Sequence, residues 1–480
     1  MKGNDGRAAR RKLIRRAWMV ASSLVGLVVV LWVGKAILGT QNHHFYYPYD
    51  GVASSGRLLR DPRRAAAAVM NRAGESAHQF RYSLHRQFSG SNKMDEAQVL
   101  HDVLAAKLQL IDLTVVEEEL LRSPANSYAG VYGKFCKVDW TIRKKDPSTV
   151  PMFRHLVAAS RDCDHGQYTL DLKKVADLAR HQDEVNGATS TSSKSPKVLN
   201  FTLATFHESR CGSTLVANAV AAMDPVKHRS YSEAQPPAAA LTSVCGRNFS
   251  RCSLQQAALV LKDTLYLMSR SDDPQEERVF FKFQSATTKS IQVFQQAFPD
   301  QPWIFVYRDP VQVMMSHIKD DPELKGKANC LRSKSMPPPE IKEIATQHGI
   351  ADPRLLSMEE YCAAHLAAIT ESAANALTDI GMPVNYETLP DSLYESILPA
   401  VMGRSLTTTE VENIQTISQH YSKGTGSRHR EFQDDSEAKT KAASPAVKEA
   451  AAKFLQSSFD RLAQHRPKFL LNSQQYHSHS

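Results

Sequence analysis

The segment HESRCGST, residues 207–214, has the composition of an anion-binding loop. It follows the apolar run 198–206 and precedes the helix-like run 214–223, so it would join a strand to a helix. The N-terminus of a helix favours an anion, because its backbone N–H groups point at the ligand and the helix dipole is positive there. The groups that would meet at this point belong to Arg210, Gly212, Ser213 and Thr214. The segment therefore predicts a site for a doubly ionised phosphate.

The segment IFVYRDPVQVMMSH, residues 304–317, predicts a second phosphate contact. Arg308 ends a predicted strand, and Ser316 stands eight residues later, two turns into a predicted helix, so both can face one phosphate. A guanidinium binds a phosphate bidentately, and a hydroxyl donates a further hydrogen bond. The alternative is a structural ion pair of Arg308 with Asp309 or Glu387. The loop upstream favours the phosphate, and this second contact would distinguish a 3'-phosphorylated nucleotide from ATP.

The loop lacks the lysine of ATP-hydrolysing phosphate loops. Their pattern GxxxxGK is followed by Ser or Thr, whereas no lysine follows Gly212. A transferring group with less charge than a terminal phosphate can be stabilised by cationic side chains and N–H donors without magnesium. No CxxC or His-rich metal spacing occurs in the sequence. We therefore expect no metal, and ATP hydrolysis is disfavoured. The remaining alternative for the loop is an ordinary turn that contains glycine.

With these segments, residues 198–463 resemble the membrane-anchored, Golgi-type sulfotransferases that depend on 3'-phosphoadenosine 5'-phosphosulfate (PAPS). HESRCGSTL is similar to the family's 5'-phosphosulfate loop, and IFVYRDPVQVMMSH is similar to its 3'-phosphate segment. VNYETLPDSLYESILPAVMG is similar to its YEDL segment. The resemblance implies an α/β fold of the P-loop nucleoside triphosphate hydrolase type, with three layers and a central, mostly parallel sheet. It also implies PAPS as the co-substrate and PAP as the product.

The resemblance further implies which residues bind the donor. They are Arg210, Cys211, Gly212, Ser213, Thr214, Arg308 and Ser316. Cys211 stands where the family usually has a serine. This difference affects one side-chain hydrogen bond of the loop and leaves its backbone N–H groups intact.

Transfer to a hydroxyl requires a group that accepts its proton. The resemblance points to Glu233, which follows the loop's helix at about the place where membrane-anchored relatives carry a glutamate. Partial desolvation raises the pKa of a carboxylate toward the working pH. The alternative is a solvated loop glutamate, and His317 is the second choice of base. Lys282 resembles a strand-end lysine of the family that would offset charge on the bridging oxygen, as would Arg210. The alternative for Lys282 is a solvated lysine at the end of a strand.

The distribution of charge argues against a nucleic-acid partner. The chain has 480 residues and 42% apolar residues, enough for one large domain with accessory segments. Its formal net charge is +9, but residues 1–16 hold seven Lys or Arg against Asp5. The remaining residues are nearly balanced, so no nucleic-acid partner is expected.

Residues 17–39 predict a transmembrane signal anchor. The run 17–34 has no charged residue and covers roughly 27 Å as a helix, close to the thickness of a secretory-pathway bilayer. The basic tail 1–16 should remain in the cytosol, which places the rest of the chain in the lumen. A cleaved signal peptide is the alternative, but the apolar run is longer than usual and no clear cleavage site follows it.

The rest of the chain divides by composition and periodicity. We expect a stem at 40–185, a polar linker at 186–197, the sulfotransferase-like domain at 198–466 and a polar tail at 467–480. The stem should contain a helix at 94–122, which either packs on the main domain or forms a homodimer. Predicted strands are 198–206, 279–283, 303–307 and 383–386. Predicted helices are 214–223, 254–269, 286–297, 357–378 and 445–463, the last with Ser444 as N-cap.

Seven cysteines fit an oxidising compartment. Cys211 lies inside the loop, and the six others allow fifteen pairings, of which Cys245 with Cys252 is the simplest local choice.

The predicted protein is a type II membrane enzyme of the Golgi lumen. It would move a sulfo group from PAPS to a hydroxyl, on a glycan in the first place and on tyrosine of a secreted protein as the alternative. A P-loop kinase or NTPase and a non-catalytic nucleotide-binding membrane protein remain as other classes.

Overall fold

The computed structural model describes residues 95–189, 195–246, 249–318, 328–420, 422, 431 and 433–467. The predicted basic tail 1–16 and anchor 17–39 lie outside these residues. Within the described ranges, no helix combines the length and the apolar character that crossing a membrane requires.

The described residues form strands and helices in alternation. The strands are β1 (Gln109–Val115), β2 (Val131–Cys136), β3 (Tyr168–Asp171), β4 (Lys197–Val198), β5 (Asn200–His207), β6 (His228–Ser232), β7 (Arg270–Ser271), β8 (Arg278–Lys282), β9 (Trp303–Tyr307) and β10 (Gly381–Asn385). The helices are α1 (Glu96–Leu104), α2 (Glu117–Leu121), α3 (Thr141–Lys145), α4 (Phe153–Ala159), α5 (Asp162–His165), α6 (Leu172–Thr189), α7 (Ser213–Met223), α8 (Gln235–Thr242), α9 (Leu254–Met268), α10 (Ile291–Ala297), α11 (Pro310–His317), α12 (Pro339–Gln347), α13 (Met358–Asn375), α14 (Leu398–Met402), α15 (Thr408–Ser418), α16 (Ser436–Ala442), α17 (Pro445–Phe454) and α18 (Gln456–Gln464). Short 3-10 turns lie at Ser285–Ser290, Asn329–Leu331, Pro353–Leu355 and Tyr386–Thr388, and a π-helical turn lies at Leu393–Ile397.

A five-stranded parallel sheet in the order β10-β9-β5-β8-β6 organises the molecule. Its first strand in the chain, β5, lies in the middle. The chain places β6 and β8 on one side of β5 and later places β9 and β10 on the other side. In open parallel sheets a ligand binds beyond the carboxyl ends of the strands, where the strand order reverses. Here that point lies between the ends of β5 and β9.

Both faces of this sheet are covered by apolar side chains. Successive residues of a strand point to opposite faces. Ile304 and Val306 belong to one hydrophobic core, whereas Trp303, Phe305 and Tyr307 belong to another. A strand buried on two sides reads as a continuous apolar run, as WIFVY does. The predicted α/β fold with a central parallel sheet is confirmed.

Strand β6 was not predicted, because its sequence HRSYS is polar although all five of its residues are buried. The cost of burying these groups is offset by specific partners. Arg229 forms an ion pair with Glu276 at 2.5 Å. His228 contacts the carbonyl of Val220 through Nδ1 at 3.1 Å. These partners are distant in sequence, so no local pattern reveals the strand.

The predicted helix at 94–122 is wrong. Helix α1 ends at Leu104, Ala106 has a φ of 57°, and QLIDLTV forms β1, which pairs antiparallel with β2. Its apolar positions satisfy a helical period and a strand period equally well. Pairing with β2 and then β3 in a three-stranded sheet decides between the two.

The described part of the predicted stem shares the main hydrophobic core. Phe135 and Phe153 belong to the same cluster as Phe281 of the central sheet. Helix α6 continues to Thr189, four residues into the predicted linker, and its Asp183 binds Arg270 at 2.8 Å. Residues 95–189 are therefore an integral layer of the domain.

Three disulfides join Cys136 with Cys163, Cys245 with Cys252, and Cys330 with Cys362. The predicted pair Cys245–Cys252 is confirmed, and Cys211 is a buried thiol. At the C-terminal end, Ser444 accepts the N–H of Val447 as the predicted N-cap. The predicted final helix is divided at Leu455 into α17 and α18.

Candidate active site

The carboxyl ends of the central strands bring the predicted site residues to one edge of the sheet. His207 ends β5, Lys282 ends β8, Glu233 follows β6 directly and Arg308 follows β9 directly. The strands are parallel and adjacent, so these four positions meet although they span about a hundred residues of sequence.

The loop between β5 and α7 has an unusual backbone. Ser209, Arg210 and Gly212 have φ values of 86°, 59° and 83°. A left-handed conformation costs a residue other than glycine on the order of 1–3 kcal/mol, and such strain persists where the surroundings fix it. The N–H of Glu208 and the thiol of Cys211 both donate to the carbonyl of Val306, at 3.2 and 3.0 Å. The loop is thus fastened to β9, and it ends at the N-terminus of α7, where Gly212 is the N-cap.

Gly212 is required because Tyr386 lies against it. A Cβ at this position would be 2.5 Å from Cδ2 of Tyr386. The same ring also contacts the opposite side of the site, where the guanidinium carbon of Arg308 lies 4.1 Å from the ring centroid. The loop and Arg308, predicted to hold two ends of one nucleotide, are therefore linked through a single aromatic side chain.

Cys211 can contribute its backbone N–H, and not its side chain, to binding of the donor. The residue is fully buried, and burial raises the pKa of its thiol to about 12. The neutral thiol donates its hydrogen bond to the carbonyl of Val306. Ser213 and Thr214, also predicted to bind the donor, form the first turn of α7.

Arg308 is almost fully buried and makes a dense set of contacts. Its Nε donates to Oε1 of Gln312 at 2.8 Å. One terminal nitrogen donates to Asp435 at 3.1 Å and to the hydroxyl of Ser436 at 2.7 Å. Its main-chain N–H donates to Glu208 in the loop at 2.6 Å. Burial raises the pKa of Glu208 well above its ordinary value.

The partners of Arg308 differ from the expected alternatives, Asp309 and Glu387. The carboxylate of Asp309 instead accepts the N–H of Gln312 and caps α11. Ser316 donates to the carbonyl of Gln312 at 2.8 Å, and the side chain of Gln312 accepts the Nε hydrogen bond of Arg308. The hydroxyl that Arg308 contacts directly belongs to Ser436, which lies 128 residues further along the chain. No sequence signal indicated this contact.

Lys439 adds a third cation to this end of the site. Its ammonium donates to Asp435 at 2.7 Å. Burial lowers the pKa of Lys439, and the positive charges of Arg308 and Arg210 lower it further. The charges of Arg308 and Arg210 therefore both act on Lys439. Arg308 and Lys439 both bind the carboxylate of Asp435, and Asp434 lies 4.0 Å from Arg308.

Glu233 and Lys282, the predicted base and the predicted strand-end cation, form the second cluster. Oε1 of Glu233 forms an ion pair with the ammonium of Lys282, and Oε2 lies 3.6 Å from Arg154. Glu233 has a φ of 52°, and its N–H donates to the carbonyl of Lys282 at 2.7 Å. The backbone thus fixes the carboxylate beside the lysine.

His207 connects this cluster to the loop. Its Nε2 lies 3.1 Å from the carbonyl of Phe283 and 3.8 Å from Oε1 of Glu233. Its Nδ1 accepts the N–H of Ser209 at 3.1 Å. The sequence analysis treated His207 only as the start of the loop. The structure gives it a positioning role between Ser209 and Glu233.

Two further residues of interest lie outside the strand ends. Arg154 comes from α4, inside the predicted stem, and had no signal in the sequence. His317, the second choice of base, is buried at the end of α11. It lies close enough to His365 to lower the pKa of His365, which burial brings to about 3. Among the described residues, no group of His, Cys, Asp and Glu could hold a metal ion.

The structure resembles several solved sulfotransferases at low similarity. The sulfotransferase domain from the curacin biosynthetic pathway is 12% identical, with 54% of this chain and 98% of that chain covered and a TM-score of 0.30. Sulfotransferase STF9 from Mycobacterium avium is 12% identical, with 68% and 88% covered and a TM-score of 0.30. Sulfotransferase STF1 from Mycobacterium tuberculosis H37Rv is 13% identical, with 58% and 81% covered and a TM-score of 0.29. No protein-family model and no curated protein matches the chain. Similarity at this level does not establish a family.

Proposed function

We propose that the chain is a PAPS-dependent sulfotransferase that moves a sulfo group to a hydroxyl acceptor. The observation that carries the proposal is the meeting of two cation clusters at one sheet edge. Arg308 and Lys439, which share Asp435, form one cluster, and Lys282 with Glu233 forms the other. The strained loop 207–212 lies between them. Such an arrangement suits a ligand with separate anionic groups at its two ends and a reacting centre beside a carboxylate.

The residues support a direct, in-line transfer. The acceptor oxygen forms a bond to sulfur, and the bond from sulfur to the oxygen that bridges it to phosphorus breaks. Glu233 accepts the hydroxyl proton. The ammonium of Lys282 offsets the negative charge that develops on the bridging oxygen, and Arg210 stabilises the sulfo group in transfer. His207 and Arg154 hold the carboxylate of Glu233 in place.

We further propose the lumen of the Golgi as the location, with residues 17–39 as a type II membrane anchor. The three disulfides support an oxidising compartment. The proposed acceptor is a glycan hydroxyl, with tyrosine of secreted proteins as the alternative reached from the same compartment.

Incubation of the full-length protein with radiolabelled PAPS and a panel of glycans and tyrosine peptides tests the donor and the acceptor together. We expect label on a glycan and release of PAP. Displacement of a PAP probe by ATP as effectively as by PAPS would instead support a kinase or NTPase. PAP binding without transfer to any acceptor would support a non-catalytic nucleotide-binding protein.

A further inference from the structure

Arg143 in α3 is a buried guanidinium without a counter-charge among the described residues. It is 3% exposed. One terminal nitrogen donates to the carbonyl of Val150 at 2.6 Å. Its Nε and its other terminal nitrogen are buried and have no hydrogen-bond acceptor there. Burial lowers the pKa of Arg143 to about 10, so the group remains charged near neutral pH.

Other buried arginines of the chain have a carboxylate partner. Arg229 pairs with Glu276 at 2.5 Å, and Arg270 pairs with Asp183 at 2.8 Å. An isolated charge costs several kcal/mol to bury, and a paired one much less. Arg143 departs from the pattern that the same protein follows at neighbouring positions, and within the described ranges its side chain has no anionic partner.

The neighbourhood of Arg143 suits an anion. A cavity separates α3 from β6 and the end of α7, and its lining includes Trp140, Arg143, Lys144, Pro225, His228 and Ser230. The indole N–H of Trp140 is also buried without an acceptor in the described part of the chain. Lys144 pairs with Asp273 and Glu276. Burial lowers the pKa of His228, so its ring brings no charge near neutral pH.

We infer that this cavity binds a small monovalent inorganic anion, such as chloride, through Arg143 and the indole N–H of Trp140. A water molecule would accept the same hydrogen bonds but would leave the guanidinium charge uncompensated, whereas a halide provides an acceptor and a counter-charge together. The anion would tie α3 to β6, the strand that leads to Glu233. The inference is independent of the proposed sulfotransferase function, since none of these residues belongs to that site.

Thermal unfolding of the full-length protein in sodium bromide or chloride, compared with sodium gluconate at the same ionic strength, tests the site. We expect the halides to raise the unfolding midpoint by about 2 °C with saturation, as specific binding to the folded state requires. Arg143→Gln should lose this halide-specific increase. Arg270→Gln is the matched control, because it removes a buried arginine that has its own carboxylate. It should be destabilised and yet keep the halide-specific increase.

Crystals grown with bromide provide a second measurement that does not depend on a variant. We expect an anomalous peak within hydrogen-bond distance of Arg143. A cavity that holds only water, or an equal halide effect in Arg143→Gln and the parent protein, would overturn the inference. Bromide peaks only at other surface positions would mean adventitious ions only and would overturn it as well.

Discussion

Lys282 and Arg308 are two buried cations at the ends of the strands that flank β5, yet their carboxylate partners are held in different ways. Glu233, beside Lys282, is 18% exposed and its own N–H is bonded to that lysine's carbonyl. Asp435, beside Arg308, is 55% exposed and comes from a segment outside the sheet. The backbone fixes the Lys282–Glu233 pair at the sheet edge, whereas the Arg308–Asp435 pair depends on a carboxylate that is in contact with solvent.

This difference assigns the two ends different tasks. A buried cation needs an anion, but an exposed carboxylate can return to water when a more highly charged anion arrives. Asp435 can therefore be replaced at Arg308 by a phosphate, whereas Glu233 remains beside Lys282 in every state. We expect the ligand's phosphate to bind at the Arg308 end and proton transfer to occur at the Lys282 end.

The largest expected effect separates the two ends through Glu233→Gln. The amide keeps the shape of the side chain and cannot accept the proton, so we expect kcat to fall by about a thousandfold. PAP affinity should change by less than about twofold, because the substitution leaves the Arg308 end intact. Measured sulfo transfer and calorimetric PAP binding give the two values.

Glu277→Gln is the matched control for this change. Glu277 is exposed near the opposite end of β8, where it pairs with Lys227, and its substitution should leave kcat unchanged. Retention of full activity in Glu233→Gln would exclude the proposed base. Loss of PAP binding together with activity would mean that the two ends do not work separately.

The second effect, on PAP binding, comes from Arg308→Ala. Loss of a buried guanidinium that binds a phosphate with charge-assisted hydrogen bonds should weaken PAP affinity by about a hundredfold. Calorimetry measures the affinity, and thermal unfolding shows that the fold persists. Arg278→Ala, at the opposite end of β8, is the control and should bind PAP as the parent protein does. Equal affinity in Arg308→Ala and the parent would contradict the site.

The sequence predicted what depends on local pattern. Apolar runs identified β5, β8, β9 and β10, and the strand–loop–helix motif identified the loop near Gly212, because strand ends and helix starts are encoded within a few residues. In a parallel sheet, strand ends necessarily meet. This is why Lys282 and Arg308 could be expected at one edge, whereas Glu233 was indicated only by the family resemblance, because β6 was not predicted.

What the sequence missed depends on contacts between distant segments. β6 is polar, and its buried groups are satisfied by β8 and by residues outside the strand such as Glu276, which pairs with Arg229. Arg154 reaches Glu233 because residues 95–189 pack on the same core, and Ser436 reaches Arg308 across more than a hundred residues. Neither contact has a local signature in the sequence, so each can be identified only from the folded structure.

The smallest expected effect tests the exchange at Arg308 directly, through Asp435→Asn. If the carboxylate competes with the incoming phosphate, its neutralisation should increase PAP affinity by roughly fivefold, because the ligand no longer displaces an anion. Asp434→Asn is the matched control. It removes the same charge from the neighbouring residue, which lies 4.0 Å from Arg308 rather than 3.1 Å. Equal gains in the two variants would indicate a general effect of charge and would exclude competition by contact.

The pH dependence of this gain has a defined sign. Burial alone would raise the pKa of Asp435, but the hydrogen bond from Lys439 and the charge of Arg308 hold the pKa below its ordinary value. A carboxylate with a lowered pKa keeps its pairing above the ordinary value and loses it only when the pH falls through the lowered one. Asp435 is thus ionised throughout the range from about pH 5 to pH 8, and the gain in Asp435→Asn should persist across it. A gain that disappears toward pH 5 would show that Asp435 is already neutral there and would contradict the lowered pKa.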